Sequence, residues 1–410
     1  MKMIVSQLVL IVSLGMVLNG CGTTQPQKEA PAEGEEILVG ALIPLTGDLL
    51  LDGKSAKIGI ELAEEEINKE LAEKGVGRLR VIIEDTETKP QLGEEKLRSL
   101  KKQGVMLVVG PDSSAEAAAL RECADREGMI LLSFASTAPS LALPGDNLFR
   151  LVPDDRLQAR ALAKMLSDSG VELLIQMWRG NTYGDGLATG TREAFEKTGG
   201  RVGGGMRYDP ETKDFSSAVQ YLDQQVSEAL KTHGSDSVAV QLIAYQEANQ
   251  ILREAKKYEV LSRISWIGKE EMMIEDKEAA EFAAEVGLQC PRYAWGETEK
   301  GRRIADRIDE IAGEKQNGYS IVAYDALWLM VKSYLSAGDR NDADSLKREL
   351  VRTADTYYGA TGWTGLNEAG DRKIKNIDFL KIEKEDDKFN WKPVARYYAN
   401  TDSLVSLAPE

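Results

Sequence analysis

Histidine is nearly absent from this chain of 410 residues: His233 is the single one. It stands between Lys231-Thr232 and Gly234-Ser235, a pattern that reads as an exposed loop. Histidine-based triads and multi-histidine metal sites are therefore excluded as expectations. Cysteine is also scarce. Cys21, Cys123 and Cys290 are far apart and lack metal-ligand spacing. Cys123 and Cys290 could pair in an oxidising compartment or remain two buried thiols. Positive charge is in deficit, with 51 Lys+Arg against 67 Asp+Glu and a formal net charge of −16. A nucleic-acid partner is not expected, because phosphate binding rests on clustered Lys and Arg. The chain carries no G-x-G-x-x-G, Walker A or G-x-S-x-G motif. Gly203-Gly204-Gly205 opens no helix directly and makes a poor phosphate loop. No cofactor, no metal and no enzymatic reaction are expected.

Long apolar runs are missing too, except at the start. Met3 to Leu18 is apolar behind Lys2, but too short and poorly flanked for a stable membrane span. It ends Leu18-Asn19-Gly20-Cys21, which resembles the lipobox of prokaryotic lipoproteins. That resemblance implies a signal peptide over 1–20 and lipidation of Cys21. Asn19 departs from the usual pattern, and an ordinary secretory signal is the alternative. Residues 22–36 (GTTQPQKEAPAEGEE) are polar, acidic and aperiodic, as a solvated tether would be.

From Ile37 onward, short apolar strands alternate with amphipathic helices. Strands are expected at Ile37–Ile43, Leu79–Ile83, Val105–Val109, Met129–Leu132 and Asn147–Val152. Helices are expected at Gly53–Leu71 and Leu92–Gln103, with another between the third and fourth strands. Pro153 marks a crossover, and the alternation restarts with strands at Val171–Trp178, Ser237–Ile243 and Ile264–Ile267. Helices Gly186–Lys197, Phe215–Leu230 and Glu247–Lys257 lie among them. After Val286 the pattern turns helical, with Ile321–Leu335 and Asp342–Thr353. Gly362–Lys384 reads as strands around a turn. The fold class is α/β: two units in series, each with a parallel-type sheet covered by helices.

Two hydroxyl clusters stand at the ends of apolar strands. One is Ser113-Ser114 after Gly110-Pro111; the other is Ser133, Ser136 and Thr137. Helix N-termini at the C-terminal edge of a parallel sheet favour anions such as a carboxylate. Ordinary N-caps are the alternative for either cluster alone; two on successive strands favour a ligand.

The marks VGALIPLTG (39–47), VVGPDSSA (108–115), GMILLSFASTAP (128–139), NTYGDGL (181–187), WIGKEE (266–271) and TGWTGLNEAGDR (361–372) come in a specific order. In these the chain resembles the branched-chain amino-acid (Leu/Ile/Val) binding family of periplasmic-type substrate-binding proteins, from about Ile37 to Lys384. The resemblance implies two Rossmann-like lobes joined by a three-crossover hinge that close on a ligand. The expected first lobe is 37–152 plus about 288–360; the second is 153–287 plus about 361–396, with 397–410 a tail.

Motif by motif, the resemblance places Ser114 on a ligand α-carboxylate, and Ser136 and Thr137 on the α-amino and α-carboxylate groups. Tyr183, in a Tyr-Gly-Asp-Gly turn, closes over the ligand, and Glu270 pairs with the α-ammonium. Tyr245 falls near another pocket aromatic, its register uncertain by one residue. Hydroxyls on one side and an acid on the other are what a zwitterion needs. Asp52 falls near the pocket mouth, where it would favour a polar or cationic side chain or cap a helix starting near Lys54; the cap is preferred. Trp178 and Arg179 are unusual before Tyr183, and either could face the cleft.

The leading expectation is an extracytoplasmic, lipid-anchored binding protein that delivers an amino acid or related small polar solute to the permease of an ABC importer. A ligand sensor acting on a membrane receptor and an envelope lipoprotein with an empty cleft are the alternatives.

Overall fold

A computed structural model describes residues 35–407, apart from 271, 296, 297, 375 and 387. The signal peptide, Cys21 and nearly all of the tether lie outside the described residues. Among the described residues no helix is long and apolar enough to cross a membrane.

The first lobe begins β1 (Glu36–Ile43), α1 (Leu50–Lys74), β2 (Arg78–Asp85), α2 (Pro90–Lys102), β3 (Leu107–Val109), α3 (Ser114–Glu127), β4 (Ile130–Ser133), β5 (Leu148–Arg150). Its sheet is parallel throughout, in the order β2-β1-β3-β4-β5. The strands are apolar on both faces because helices cover both. Leu42, Val108 and Leu131 pack with Leu97, Leu100 and Leu120 of α2 and α3. Ala41, Val109 and Leu132, on the opposite face, join the core that holds Ile60 and Ala63 of α1.

The second lobe runs α4 (Asp155–Asp168), β6 (Leu173–Arg179), α5 (Thr182–Lys197), β7 (Arg201–Val202), β8 (Met206–Tyr208), α6 (Ser216–Ala229), β9 (Val238–Ile243), α7 (Ala248–Ala255), β10 (Ser265–Ile267), α8 (Lys277–Glu285), β11 (Gln289–Tyr293). The chain then returns to the first lobe with α9 (Glu299–Ala312), α10 (Tyr319–Ser336) and α11 (Ala343–Thr356), α10 lying along α1. A two-stranded ribbon, β12 (Tyr358–Gly359) and β13 (Gly362–Trp363), precedes the last passage into the second lobe. There β14 (Asn376–Glu385), β15 (Lys388–Tyr398) and β16 (Ser403–Ser406) extend the sheet antiparallel, giving β16-β15-β14-β11-β10-β9-β6-β7.

Four expectations change. Strand β11 pairs with β10 and β14, so the return to the first lobe comes after Tyr293 rather than about 288. Residues 397–407 of the expected tail are not free, since Tyr397 and Tyr398 pair with Leu404 and Ser403. Helices α4 and α8 and strands β7, β8, β11, β12, β15 and β16 lie beyond the expected set, β11 falling where the pattern read as helical. Gly362–Lys384 is not one hairpin: β13 pairs with β12 and β14 with β11 and β15. Cys123 on α3 and Cys290 on β11 are buried in different lobes and form no disulfide with each other.

The lobes are joined by three passages of chain, which touch one another. Arg150, ending β5, bonds Asp371 of the third passage at 2.6 Å, both fully buried. The Arg372 guanidinium lies 5.2 Å from the ring centre of Trp295 in the second passage.

Candidate functional site

The first wall of the cleft is built where β3 and β4 end. Gly110 has φ +106°, and a Cβ there would stand 2.2 Å from the Leu42 carbonyl oxygen, so only glycine makes this turn. The turn delivers Asp112, Ser113 and Ser114 to the start of α3. Ser113 is a cap: its hydroxyl accepts from the Glu116 N–H (3.2 Å) and donates to Glu116 Oε2 (2.6 Å). Ser114 is not. Its Oγ accepts from the backbone N–H groups of Thr137 and Ala138, both at 3.1 Å, tying the two strand ends together. The second cluster is turned inward. Ser133 Oγ donates to the Pro111 carbonyl (2.6 Å) and accepts from the Ser136 N–H (2.9 Å). Thr137 donates its hydroxyl to Asp155 Oδ2 at 3.0 Å. Ser136 Oγ is buried without a hydrogen-bond partner.

The second wall starts at α5. Asn181 caps the helix by accepting from the Gly184 N–H at 2.8 Å. The segment expected as a turn is thus the first turn of α5 itself, starting at Thr182 rather than Gly186. A Cβ on Gly184 would lie 2.0 Å from the Arg179 carbonyl oxygen, so glycine lets α5 seat against the end of β6. Tyr183 is thereby fixed in the cleft, stacked on Tyr245 with ring centres 5.9 Å apart. Its hydroxyl donates to Glu270 Oε2 at 2.7 Å, and burial followed by the Glu270 charge pushes the phenol well above its ordinary pKa. Tyr319, at the start of α10, reaches Glu270 Oε1 from the first lobe at 3.4 Å.

These walls face each other across a narrow cavity of about 20 Å³, roughly the room of one water, so the lobes must part to admit a ligand. Leu49, Asp52, Asp112, Ser113, Ser114, Ala135 and Tyr319 line it from the first lobe; Tyr183, Tyr245, Lys269 and Glu270 line it from the second. A neighbouring crevice of about 10 Å³ shares Leu49, Asp52, Tyr245 and Lys269 and adds Leu51, Gln246 and Met273. Of the residues expected at the site, Ser114, Tyr183, Tyr245 and Glu270 are brought together here. Ser136 and Thr137 stand behind the wall.

Asp52 is a correction. Helix α1 begins at Leu50 and Leu49 makes no side-chain cap bond, so Asp52 sits inside the first turn rather than before it. It is buried, accepts from Asn317 Nδ2 at 2.5 Å, and faces the cavity. Asp112, Lys269 and Tyr319 are cavity residues that sequence reasoning missed. Asp112 and Lys269 adjoin Ser113 and Glu270 within VVGPDSSA and WIGKEE, the one signal that pointed at them. Burial, then the charges of Asp52 and Glu116, push the Asp112 carboxyl well above the usual range, while Lys269 opposes this.

Arg179 closes the mouth. Its guanidinium bonds Glu247 at 2.9 Å in its own lobe, lies 4.8 Å from the Tyr245 ring centre, and bonds Asp48 of the first lobe. Trp178 instead donates its indole N–H to Asp185 at 3.0 Å, within the second lobe.

Two α/β lobes, three connecting passages and a polar cavity between them define a clamshell binding protein. Residues 36–387 match the family model described as periplasmic binding protein. The chain belongs to that family. It is 28% identical over 413 residues to an uncharacterised protein of Methanocaldococcus jannaschii, covering 95% of this chain and 97% of that one. It is 25% identical over 344 residues to the leucine-, isoleucine-, valine-, threonine- and alanine-binding protein of Pseudomonas aeruginosa (83% and 87% covered). In fold it matches the leucine binding protein LivK of Thermotoga maritima, with TM-score 0.72, 19% identity, and 87% and 97% of the chains covered. The isoleucine complex of LivJ from Streptococcus pneumoniae gives 0.71, 20%, and 88% and 99%.

Proposed function

We propose that this protein captures an amino acid between its lobes, outside the cytoplasmic membrane, and hands it to the permease of an ABC importer. It works as a binding protein and not as an enzyme. A lipid on Cys21 holds it at the membrane surface. The observation that carries the reading is the opposition of Ser114 and Glu270 across one cavity, each on a different lobe. Ser114 and the N-terminal end of α3 suit a carboxylate. Glu270, held by two tyrosine hydroxyls, suits an ammonium. Each charge-assisted hydrogen bond contributes roughly 1.5–3 kcal/mol, so a ligand bonded to both lobes stabilises their closure. The Pseudomonas and Streptococcus relatives, named for amino acids, support the ligand class.

A thermal-shift screen against the amino acids tests this. A ligand that binds only the folded chain raises the melting temperature, and Glu270→Gln should abolish the shift. No shift with any amino acid sinks the reading. Mass spectrometry of protein extracted from membranes tests the anchor: an unmodified Cys21, or cleavage elsewhere, rejects it.

A further inference from the structure

Resting on that reading, we propose that the ligand is a basic amino acid, whose side-chain ammonium or guanidinium is received by Asp112 and Asp52. Both acids line the cavity from the first lobe and are almost fully buried, at 4% and 7% exposure. Asp112 Oδ2 is buried without any hydrogen-bond partner. An orphaned buried carboxyl oxygen is costly, and a native fold keeps one where something else satisfies it. An aliphatic side chain in this place would leave it unsatisfied and add desolvation. A cation would supply the missing donor and charge.

The charge balance of the wall points the same way. Asp52, Asp112 and Glu270 face a single cation among the lining residues, Lys269. The ligand's own ammonium answers Glu270, and its carboxylate adds a further negative charge near Ser114. A second positive charge on the ligand offsets the charge that Asp112 takes on when it gives up its proton. The surfaces that would flank a stem are also in place, although the space between them must widen to admit one. The adjoining space beyond Asp52 is bounded by Leu49, Tyr245 and Met273, surfaces on which a methylene chain packs while its charged end stays among acids.

Asp112 is faced by Asp52 of α1, Glu116 of α3, Lys269 and Tyr245. Burial and the two neighbouring acids favour its protonated form in the empty cleft. A ligand cation takes the proton's place, so binding releases a proton.

Titration calorimetry with L-lysine, L-ornithine and L-arginine against L-norleucine and L-leucine decides the matter. One basic amino acid should bind at least about a hundredfold tighter than norleucine, because a site built for a polar group strongly rejects the analogue lacking it. Repeating the titration in buffers of different ionisation enthalpy should show proton release with the basic ligand. Asp112→Asn should cut the preference for lysine over norleucine at least about tenfold. If that variant does not fold, Asp52→Asn and the proton release by the unaltered protein carry the test. Equal or tighter binding of norleucine or leucine overturns the basic side chain and leaves the amino-acid reading standing. Failure of every amino acid overturns both.

Discussion

Arg179 and Asp48 form an ion pair across the mouth of the cleft, one residue from each lobe. Arg179 is nearly buried and also bonded to Glu247, whereas Asp48 is substantially exposed. The two ends of this latch therefore respond differently to substitution. Asp48→Ala leaves Arg179 paired with Glu247, and a half-exposed pair contributes only about 0.5 kcal/mol. Ligand affinity should fall about twofold, through faster release, and the loss should shrink at high salt. Arg179→Met strands Glu247, which among the described residues keeps only the Tyr208 hydroxyl at 2.8 Å. That variant should lose about 3 kcal/mol of folding stability as well. Stopped-flow release kinetics beside urea unfolding separate the two; equal effects from both substitutions would show that the latch is not asymmetric.

Ser114 serves the fold before it serves a ligand. Its oxygen accepts two buried backbone N–H groups, and alanine would leave both unpaired. Each unsatisfied donor costs about 1–3 kcal/mol. Ser114→Ala should therefore lower the stability of the ligand-free protein by at least about 2 kcal/mol, in addition to weakening binding. Denaturant unfolding without ligand checks this. A variant as stable as the parent would mean that the Thr137 and Ala138 amides find other partners.

The hinge carries its own buried pair. Arg150 donates from Nε to Asp371 and from Nη1 to the Ala138 carbonyl at 2.8 Å, so the first passage, the third passage and the cleft floor meet at one side chain. Removing one partner of a buried pair leaves an uncompensated group, at about 3–5 kcal/mol. Arg150→Met should cost that much in urea unfolding. Asp371→Asn, which keeps the shape and an acceptor, should cost less. A smaller loss for Arg150→Met than for Asp371→Asn would contradict this placement.

Much of the architecture was legible because the strands are buried on both faces and read as short apolar runs between amphipathic helices. Strand β15 was not: KFNWKPVARYY is mostly half-exposed along its length, so no apolar run marks it. Helix α4 has a clear apolar face in Leu157, Ala161, Leu162 and Met165, yet it starts two residues after Pro153, where a crossover was the simpler reading. At the site, strand ends and motifs pointed to Ser114, Tyr183 and Glu270. Only the motif match, and not the strand ends, separated Ser114 from Ser113, the cap, since the Ser114 bonds go to amides more than twenty residues away. Asp52 was misjudged for a similar reason. Its partner Asn317 lies 265 residues along the chain, and no local pattern announces it.

Asp155 links the floor of the cleft to pH. It begins α4, is fully buried, accepts from Thr137 Oγ1, and accepts weakly from Gln158 Nε2 at 3.4 Å. Burial first, and the charge of Glu270 second, raise its carboxyl well above the usual value. The native chain thus keeps a proton that the unfolded chain releases above about pH 4. Stability falls as pH rises from there toward the folded pKa, by about 1.4 kcal/mol per pH unit for one such group. Asp112, Glu116, Asp325 and Asp371 are raised in the same sense, so Asp155 accounts for one share of the slope. Asp85, Asp185 and Asp276 are lowered, and their contribution is lost instead as pH falls through their folded values. Asp155→Asn mimics the protonated form. It should unfold at higher urea than the parent at pH 8 and at the same or lower urea at pH 5, with the slope between reduced by about one proton. Glu270→Gln removes the second cause of the shift, so it should flatten the same slope in part, and combining the two substitutions should add little to Asp155→Asn alone. Parallel pH profiles for parent and Asp155→Asn would show that Asp155 is ionised in the folded protein, and that the floor of the cleft carries a second buried charge beside Glu270.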